Sequence, residues 1–392
     1  MEASALFKAV KNALTPQNLI IMLAVGCFAP FVFTAIIAII ALVTIALKPQ
    51  LQRGLFNFRG AFLIPLFCAY AFLIAFYNRN ILGLGVAPVF FGIMVLYCFV
   101  RAFITRETIN TCYTAICFMV FPAFIHAVAE TLTAPQMDEV YRCTAYFGNA
   151  NYFGALMAAI IIICAHKIVS QNGKPLFYYI VAFIALVNIY LSGSLFAIIE
   201  LVIGVAIYLL LTKHYRLFCL MVICGSLGIM LITTLPELLP RLSESGEATS
   251  YRVHIWGIII REIKSRPFFG KGFMSYNLIK KLYEGSYDTV HSHNLALDSL
   301  LNFGIFGTIL LGSTLYYIIR RIVRVYVAEN GNEIAAIAIA FLAAIVSHSF
   351  TDITFFWIQT GIFYVIVFGS IGCEEKRLAL TNDTLIRGRY RI

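Results

Sequence analysis

The chain has 392 residues, 61% hydrophobic and 12% charged, with a formal net charge of +10. Soluble domains carry about 25% charged residues, so the composition excludes a soluble globular protein and describes a chain built for a bilayer. The positive balance is not a nucleic-acid signature. The Lys and Arg residues sit in short loops between apolar runs and in a C-terminal tail with Lys376, Arg377, Arg387, Arg389 and Arg391.

A helix needs about 20 apolar residues to cross the hydrocarbon core. In chain order the apolar runs predict spans at 18–29, 31–47, 61–77, 86–104, 109–130, 150–166, 176–192, 194–212, 217–235, 302–322, 334–350 and 354–372. Residues 19–47 read either as one helix kinked at Pro30 or as two short helices with a turn there. Residues 1–17 are amphiphilic and no A-x-A-like site follows a short apolar core, so no cleavable signal peptide is expected.

Loop charge sets the orientation. Lys48, Arg53 and Arg59 follow the second span, Arg101 and Arg106 the fourth, and Lys167 and Lys174 the sixth. Lys213 and Arg216 follow the eighth, and Arg320, Arg321 and Arg324 the tenth. These alternate loops are expected on the cytoplasmic side. Two helices before residue 48 place Lys8 and Lys11 there as well. The expectation is an all-α polytopic membrane protein of twelve spans with both termini cytoplasmic. Residues 1–235 carry spans one to nine, 236–293 a long outer loop, 294–373 the last three spans, and 374–392 a basic tail.

This topology sends 131–149, the turn at Ser192-Gly193, the long loop and the turn from His348 to Asp352 to the outer face. Within the long loop, Arg252, His254, Ile255, Trp256, Ile258, Ile259, Ile260 and Ile263 predict an amphipathic helix with a period near 3.6. Arg266-Pro267 ends it, and a glycine-rich turn, Gly270-Lys271-Gly272, follows. Of the ten cysteines, eight lie inside apolar runs, where Cys behaves as a small hydrophobe. No disulfide and no zinc site are expected.

The candidate chemistry gathers in the outer segments. His293 can accept a proton from a hydroxyl near neutral pH. Asn294 after it suits a helix N-cap, which would aim His293 toward the bundle mouth. His291 is either the working imidazole or its hydrogen-bond partner. Two readings fit Arg252, a fork for phosphate or a side chain snorkelling to lipid headgroups. Arg261, Lys264, Arg266 and Lys271 read as a solvated face that could also serve an anion. Asp352 could orient a histidine, bind a sugar hydroxyl or cap a turn. Glu200, a costly carboxyl inside a span, carries no assigned role. Phe147-Gly148-Asn149-Ala150-Asn151-Tyr152 reads as a turn feeding a helix N-cap.

Three segments together resemble the O-antigen ligase family of bacterial membrane glycosyltransferases. His293-Asn294, nine residues and then Gly304-x-x-Gly307-Thr308 fit that family's most specific pattern. Tyr251-Arg252 through Trp256, with Arg266-Pro267 and Gly270-Lys271-Gly272, form the second segment, and the Gly-Asn-x-Asn turn at Gly148 to Asn151 the third. The resemblance implies a GT-C-like fold and no cofactor or metal. It implies inverting glycan transfer from an undecaprenyl-diphosphate-linked donor to lipid A–core at the periplasmic face of the bacterial inner membrane. It implies His293 as base, with Arg252 and Asp352 catalytic, and His291, Asn294, Lys271 and Arg142 as substrate-binding candidates. Members usually carry an Arg soon after a Ser-x-Ser turn, where this chain reads Ser192-Gly193-Ser194-Leu195. Arg142 is a candidate to replace it on the diphosphate. An O-antigen polymerase would use the same donor, a protein O-oligosaccharyltransferase would carry extra soluble sequence, and a polysaccharide transporter would show internal repeats.

Overall fold

The computed structural model describes residues 14–134, 141–170, 175–235, 237, 245–283, 286–354 and 357–389. Lys8, Lys11, Lys174 and Arg391, used above for topology, lie outside the described residues, as do parts of the segments 131–149 and 236–293. Among the described residues the architecture is all-helical. The elements are α1 (Pro16–Gly26), α2 (Phe31–Leu47), the short α3 (Pro49–Gln52), α4 (Leu63–Tyr77), α5 (Ile81–Phe103), α6 (Arg106–Phe118), α7 (Val120–Thr133) and α8 (Ala150–Val169). They continue with α9 (Pro175–Ser192), α10 (Leu195–Leu211), α11 (Tyr215–Thr234), α12 (Ser245–Ser265), α13 (Ser275–Ile279), α14 (Leu295–Ala328), α15 (Glu333–His348), α16 (Ile358–Gly369) and α17 (Ile371–Arg389).

Among the described residues, six stretches are long and apolar enough to cross a membrane, namely α5, α6 with α7, α8, α9, α11 and α14. Five shorter apolar helices of 10–17 residues, α1, α2, α4, α10 and α15, accompany them. The chain is therefore an α-helical polytopic membrane protein. Pro30 marks a turn between two helices, because its ring cannot continue α1 and it stands as the N-cap of α2. The predicted span 109–130 breaks at Met119, where α6 ends and α7 begins. The predicted span 302–322 begins earlier, at Leu295, because the N-cap is Asn294.

Burial separates the bundle's interior from its lipid face. Almost all of α8 is buried and packs against α9, α10 and α15. No residue of α11 is buried, and Leu220, Ile223, Leu227, Ile229 and Met230 are exposed on it. In a bilayer such an apolar exterior meets acyl chains instead of water, and the residue pattern requires no further cover. All ten cysteines are free.

The long loop folds on the end of the bundle. As predicted, α12 is amphipathic. Ile255, Ile258 and Ile259, at i, i+3 and i+4, are fully buried with Tyr276, Ile279 and Leu301 in a small core of their own. Burying such side chains contributes about 1.5–3 kcal/mol each, which is what holds the loop down. At the opposite end, Glu374 and Glu375 at the head of α17 draw in the basic residues. Arg106 donates to Glu374 at 2.6 Å, and Arg101 and Arg321 both pair with Glu375. The segment read as a basic tail is helical through Arg389.

Candidate active site

Residues from five elements converge beside the N-terminus of α14. Asn294 is its N-cap, with Oδ1 accepting from the N–H groups of Ala296 and Leu297. The preceding turn is held from three sides. Ser292 N–H donates to the buried Asp298, Ser292 O accepts from the Trp256 indole of α12 at 2.9 Å, and Leu295 N–H donates to Ser349 O. His293 then adopts a left-handed backbone, φ 54°. That conformation is uncommon for a side chain with a Cβ, and it turns the imidazole toward the turn after α15.

Asp352 is the hub. It is buried, and its Oδ1 accepts from Ile353 N–H at 2.8 Å and faces His293 Nδ1 at 3.3 Å and His291 Nε2 at 3.8 Å. Its Oδ2 accepts from Asn151 Nδ2 at 2.6 Å. Burial works to raise the Asp352 carboxyl. The His293 hydrogen bond, with the His291, His293 and His348 rings around the group, outweighs it and holds the carboxyl well below the usual carboxylate range. Burial pushes His291 down to about 4, against the pull of Asp352, so His291 is neutral at physiological pH.

The tautomers follow. An ionised carboxylate only accepts, so His293 Nδ1 carries a proton, and in the neutral imidazole Nε2 is the acceptor, with the Thr289 hydroxyl 3.3 Å away. His291 Nδ1 accepts from His293 N–H at 3.3 Å, which puts its own proton on Nε2. One ligand atom each from His291, His293 and Asp352 lies within 4.8 Å of the others, a spacing that could bridge a divalent cation. With His291 Nδ1 accepting from the His293 N–H, the arrangement also suits a proton-handling cluster, and we assign it as one. Catalysis at this site is expected to proceed undiminished in excess EDTA; loss on chelation with recovery on adding zinc would sink this assignment.

A stability consequence attaches to His291. Unfolded imidazole titrates near about 6.5, and folded it titrates at about 4. Between these values the unfolded chain binds a proton that the folded chain refuses, so stability falls as pH drops, by up to about 3 kcal/mol. Asp352 acts in the same sense lower down, because its depressed folded pKa makes its contribution vanish on further acidification. The thermal midpoint in detergent should fall between about pH 7 and about pH 5, and His291→Gln should flatten that fall.

The other predicted residues separate. Arg252 on α12 lies with its guanidinium 5.1 Å above the Phe196 ring, while its neighbour Tyr251 comes within 6.5 Å of the His293 ring. Arg142 donates to Asn151 Oδ1 at 2.6 Å and to Ser192 O at 3.2 Å. Lys271 pairs with Glu262 at 2.8 Å, and its backbone N–H donates to Asn302 O. It ties the glycine turn to α12 and α14, while the imidazoles gather around Asp352. Three features escaped the sequence reading. Asn151 was read as part of a turn, although an Asn two positions after an N-cap Asn is an available signal. Asp298, a carboxylate in the first turn of an apolar helix, was a second such signal. The third is a pairing: Glu200 meets His348 at 2.6 Å, both fully buried, beneath the Asp352 turn.

The glycines of the motif serve the backbone. Gly304 breaks α14 at φ 62°, ψ −171°. The freed N–H groups of Ile305 and Phe306 donate to Pro267 O and Phe268 O, while Lys271 and Gly272 donate to Asn302 O. Tyr70 closes the joint, its single O–H proton lying between Phe303 O at 2.7 Å and Phe269 O at 2.9 Å. The glycine-rich turn and the helix break are thus two halves of one clamp that seats the outer loop on α14.

No curated protein matches the chain. Residues 180–312 match the family model described as O-antigen ligase. They run from α9 through Arg252, the glycine clamp and the His291–His293 turn into α14, and over that stretch the chain is similar to the O-antigen ligase family.

Proposed function

We propose that the chain is an O-antigen ligase that transfers a glycan from an undecaprenyl-diphosphate-linked donor to a sugar hydroxyl of lipid A–core. The reaction takes place at the periplasmic face of a bacterial inner membrane, in a twelve-span, GT-C-like bundle. The observation that carries the reading is the Asp352–His293 pair at the head of α14, with Nδ1 3.3 Å from the carboxylate and Nε2 3.3 Å from the Thr289 hydroxyl. The family match supports a ligase- or polymerase-type activity. An apolar cavity of about 260 Å³, lined by Leu295, Thr308, Leu311, Ile345 and Tyr364 among others, begins next to Asn294 and suits a lipid-borne substrate.

His293 Nε2 takes the proton of the acceptor hydroxyl while Asp352 balances the imidazolium that forms. The acceptor oxygen attacks the anomeric carbon from the side opposite the diphosphate and inverts it. The bond to the diphosphate breaks, and the electron pair leaves with undecaprenyl diphosphate. Arg252 offers its fork to the charge on that leaving group. Losing one such preorganised donor typically costs about 10²–10³ in kcat, and Arg252→Ala is expected in that range. Arg252→Lys should recover little, because a point charge does not replace two parallel N–H donors. Wild-type rates in Arg252→Ala would leave the lipid-snorkelling reading in its place.

The test of function is the lipopolysaccharide of a deletion strain, run on a gel beside mass analysis of its undecaprenyl-linked glycans. Long polymer stranded on undecaprenyl diphosphate with bare lipid A–core establishes the ligase. Core capped with a single repeat unit establishes a polymerase acting on a second lipid-linked unit.

A further inference from the structure

We propose that Arg142 and Asn151 are positioning residues for the His293 base: Arg142 fixes which way the Asn151 amide faces, and Asn151 thereby locks the Asp352 carboxylate in its aim at His293. The proposal rests on the reading of His293 as base. It gives Arg142 a role other than binding the diphosphate.

The argument is one of donors and acceptors. An Asn amide can face either way, and its neighbours decide. A guanidinium only donates, so the Asn151 atom 2.6 Å from Arg142 is Oδ1. Its Nδ2 is then the atom 2.6 Å from Asp352 Oδ2. The flipped amide would set N–H against guanidinium and oxygen against carboxylate, two repulsive contacts in a half-buried place. Asn151 itself cannot drift, because its backbone N–H and that of Tyr152 donate to the N-cap Asn149 at the head of α8. Arg142 is anchored in turn to Ser192 O at the end of α9. With Oδ2 occupied, Asp352 keeps Oδ1 toward Ile353 N–H and the two imidazoles. The chain Arg142–Asn151–Asp352–His293 therefore joins α8, α9 and the turn after α15 to the motif before α14, across more than two hundred residues of sequence.

The full chain, purified in detergent, can be assayed with a synthetic undecaprenyl-diphosphate-linked trisaccharide as donor and lipid A–core as acceptor. Its histidines can be labelled with nitrogen-15. Asn151→Leu and Arg142→Met are each expected to lower kcat by about 10–100-fold, the worth of one charge-assisted hydrogen bond. Donor KM should not change. The double variant should lose no more than either single one, because both remove the same constraint. In the spectra, wild-type His293 should hold its proton on Nδ1, and in Asn151→Leu the two tautomers should mix.

Asn151→Asp keeps the shape and covers the case in which Asn151→Leu does not fold. A second carboxyl beside Asp352 makes the pair share a proton, so the acid limb of kcat should move up by about one pH unit or more. The titratable and charged groups facing Asp352 are His291 and His293, His348 at the end of α15, and Tyr152, with Arg142 behind Asn151. The limb is therefore compared with that of His291→Gln. Wild-type kcat and an unchanged His293 spectrum in Asn151→Leu would overturn the proposal. So would Arg142→Met if it raised donor KM alone. Unimpaired transfer by His293→Ala, with the tautomer result intact, would remove the base reading and leave the hydrogen-bond chain standing.

Discussion

His293→Ala and His293→Gly should both lose glycan transfer by about 10²–10⁴-fold, yet the glycine variant should unfold at the higher temperature. Both remove the imidazole and its contacts with Asp352 and Thr289, so chemistry and hydrogen bonding are lost equally. They differ in the backbone. Residue 293 sits at φ 54°, where a Cβ crowds the following carbonyl and glycine does not. That difference is worth about 1 kcal/mol in favour of glycine. The strain has a purpose in the geometry. The left-handed residue folds the imidazole back toward Asp352 just before Asn294 starts α14, and an extended residue there would aim it elsewhere. Equal midpoints for the two variants would show that the conformation costs nothing, and transfer by either at close to the wild-type rate would remove His293 from the chemistry.

Gly304→Ala is expected to destabilise the protein by about 3 kcal/mol or more. The φ, ψ pair at Gly304 falls in a region that is essentially glycine's alone. An added Cβ would also meet the Phe268 backbone at 2.3–2.4 Å, and backbone cannot rotate away as a side chain can. The clamp between α14 and the Pro267–Gly272 turn would open. With it, α12 would lose its fixed place, and so would Arg252 and the Trp256 hydrogen bond to Ser292. The measurements are the thermal midpoint in detergent and protease cleavage near the glycine-rich turn. Gly307→Ala is the control. Its Cβ would meet the Tyr70 ring at 2.3 Å and Phe303 Cβ at 2.6 Å, and because the Tyr70 ring can shift, the loss should be smaller. Equal effects from the two substitutions would mean that the strained break at Gly304 is not what seats the loop.

Much of this protein was legible in the order of its residues because the signals are local. Apolar run length announced a helical membrane protein. A 3.6 period in Ile255, Ile258 and Ile259, stopped by Arg266-Pro267, announced α12. An Asn before an apolar run announced the start of α14, and the density of polar groups at His291, His293 and Asp352 announced where chemistry could sit. Each of these depends on neighbours within about two helical turns. The span limits proved less legible, since α14 starts seven residues before its predicted span and the run over 109–130 breaks at Met119.

The rest was decided by tertiary structure. Nothing local to Asn151 says that a carboxylate two hundred and one residues away will accept from it. Nothing local to Lys271 says that Glu262 will take its charge. The left-handed turn at His293 and the break at Gly304 exist because other backbone comes within hydrogen-bond reach, and glycine or strain at one position answers a chain segment that is remote in sequence. Hydropathy and period report how a residue partitions between water, lipid and its own helix. Which donor meets which acceptor depends on how the helices pack, and that information resides in the assembled bundle.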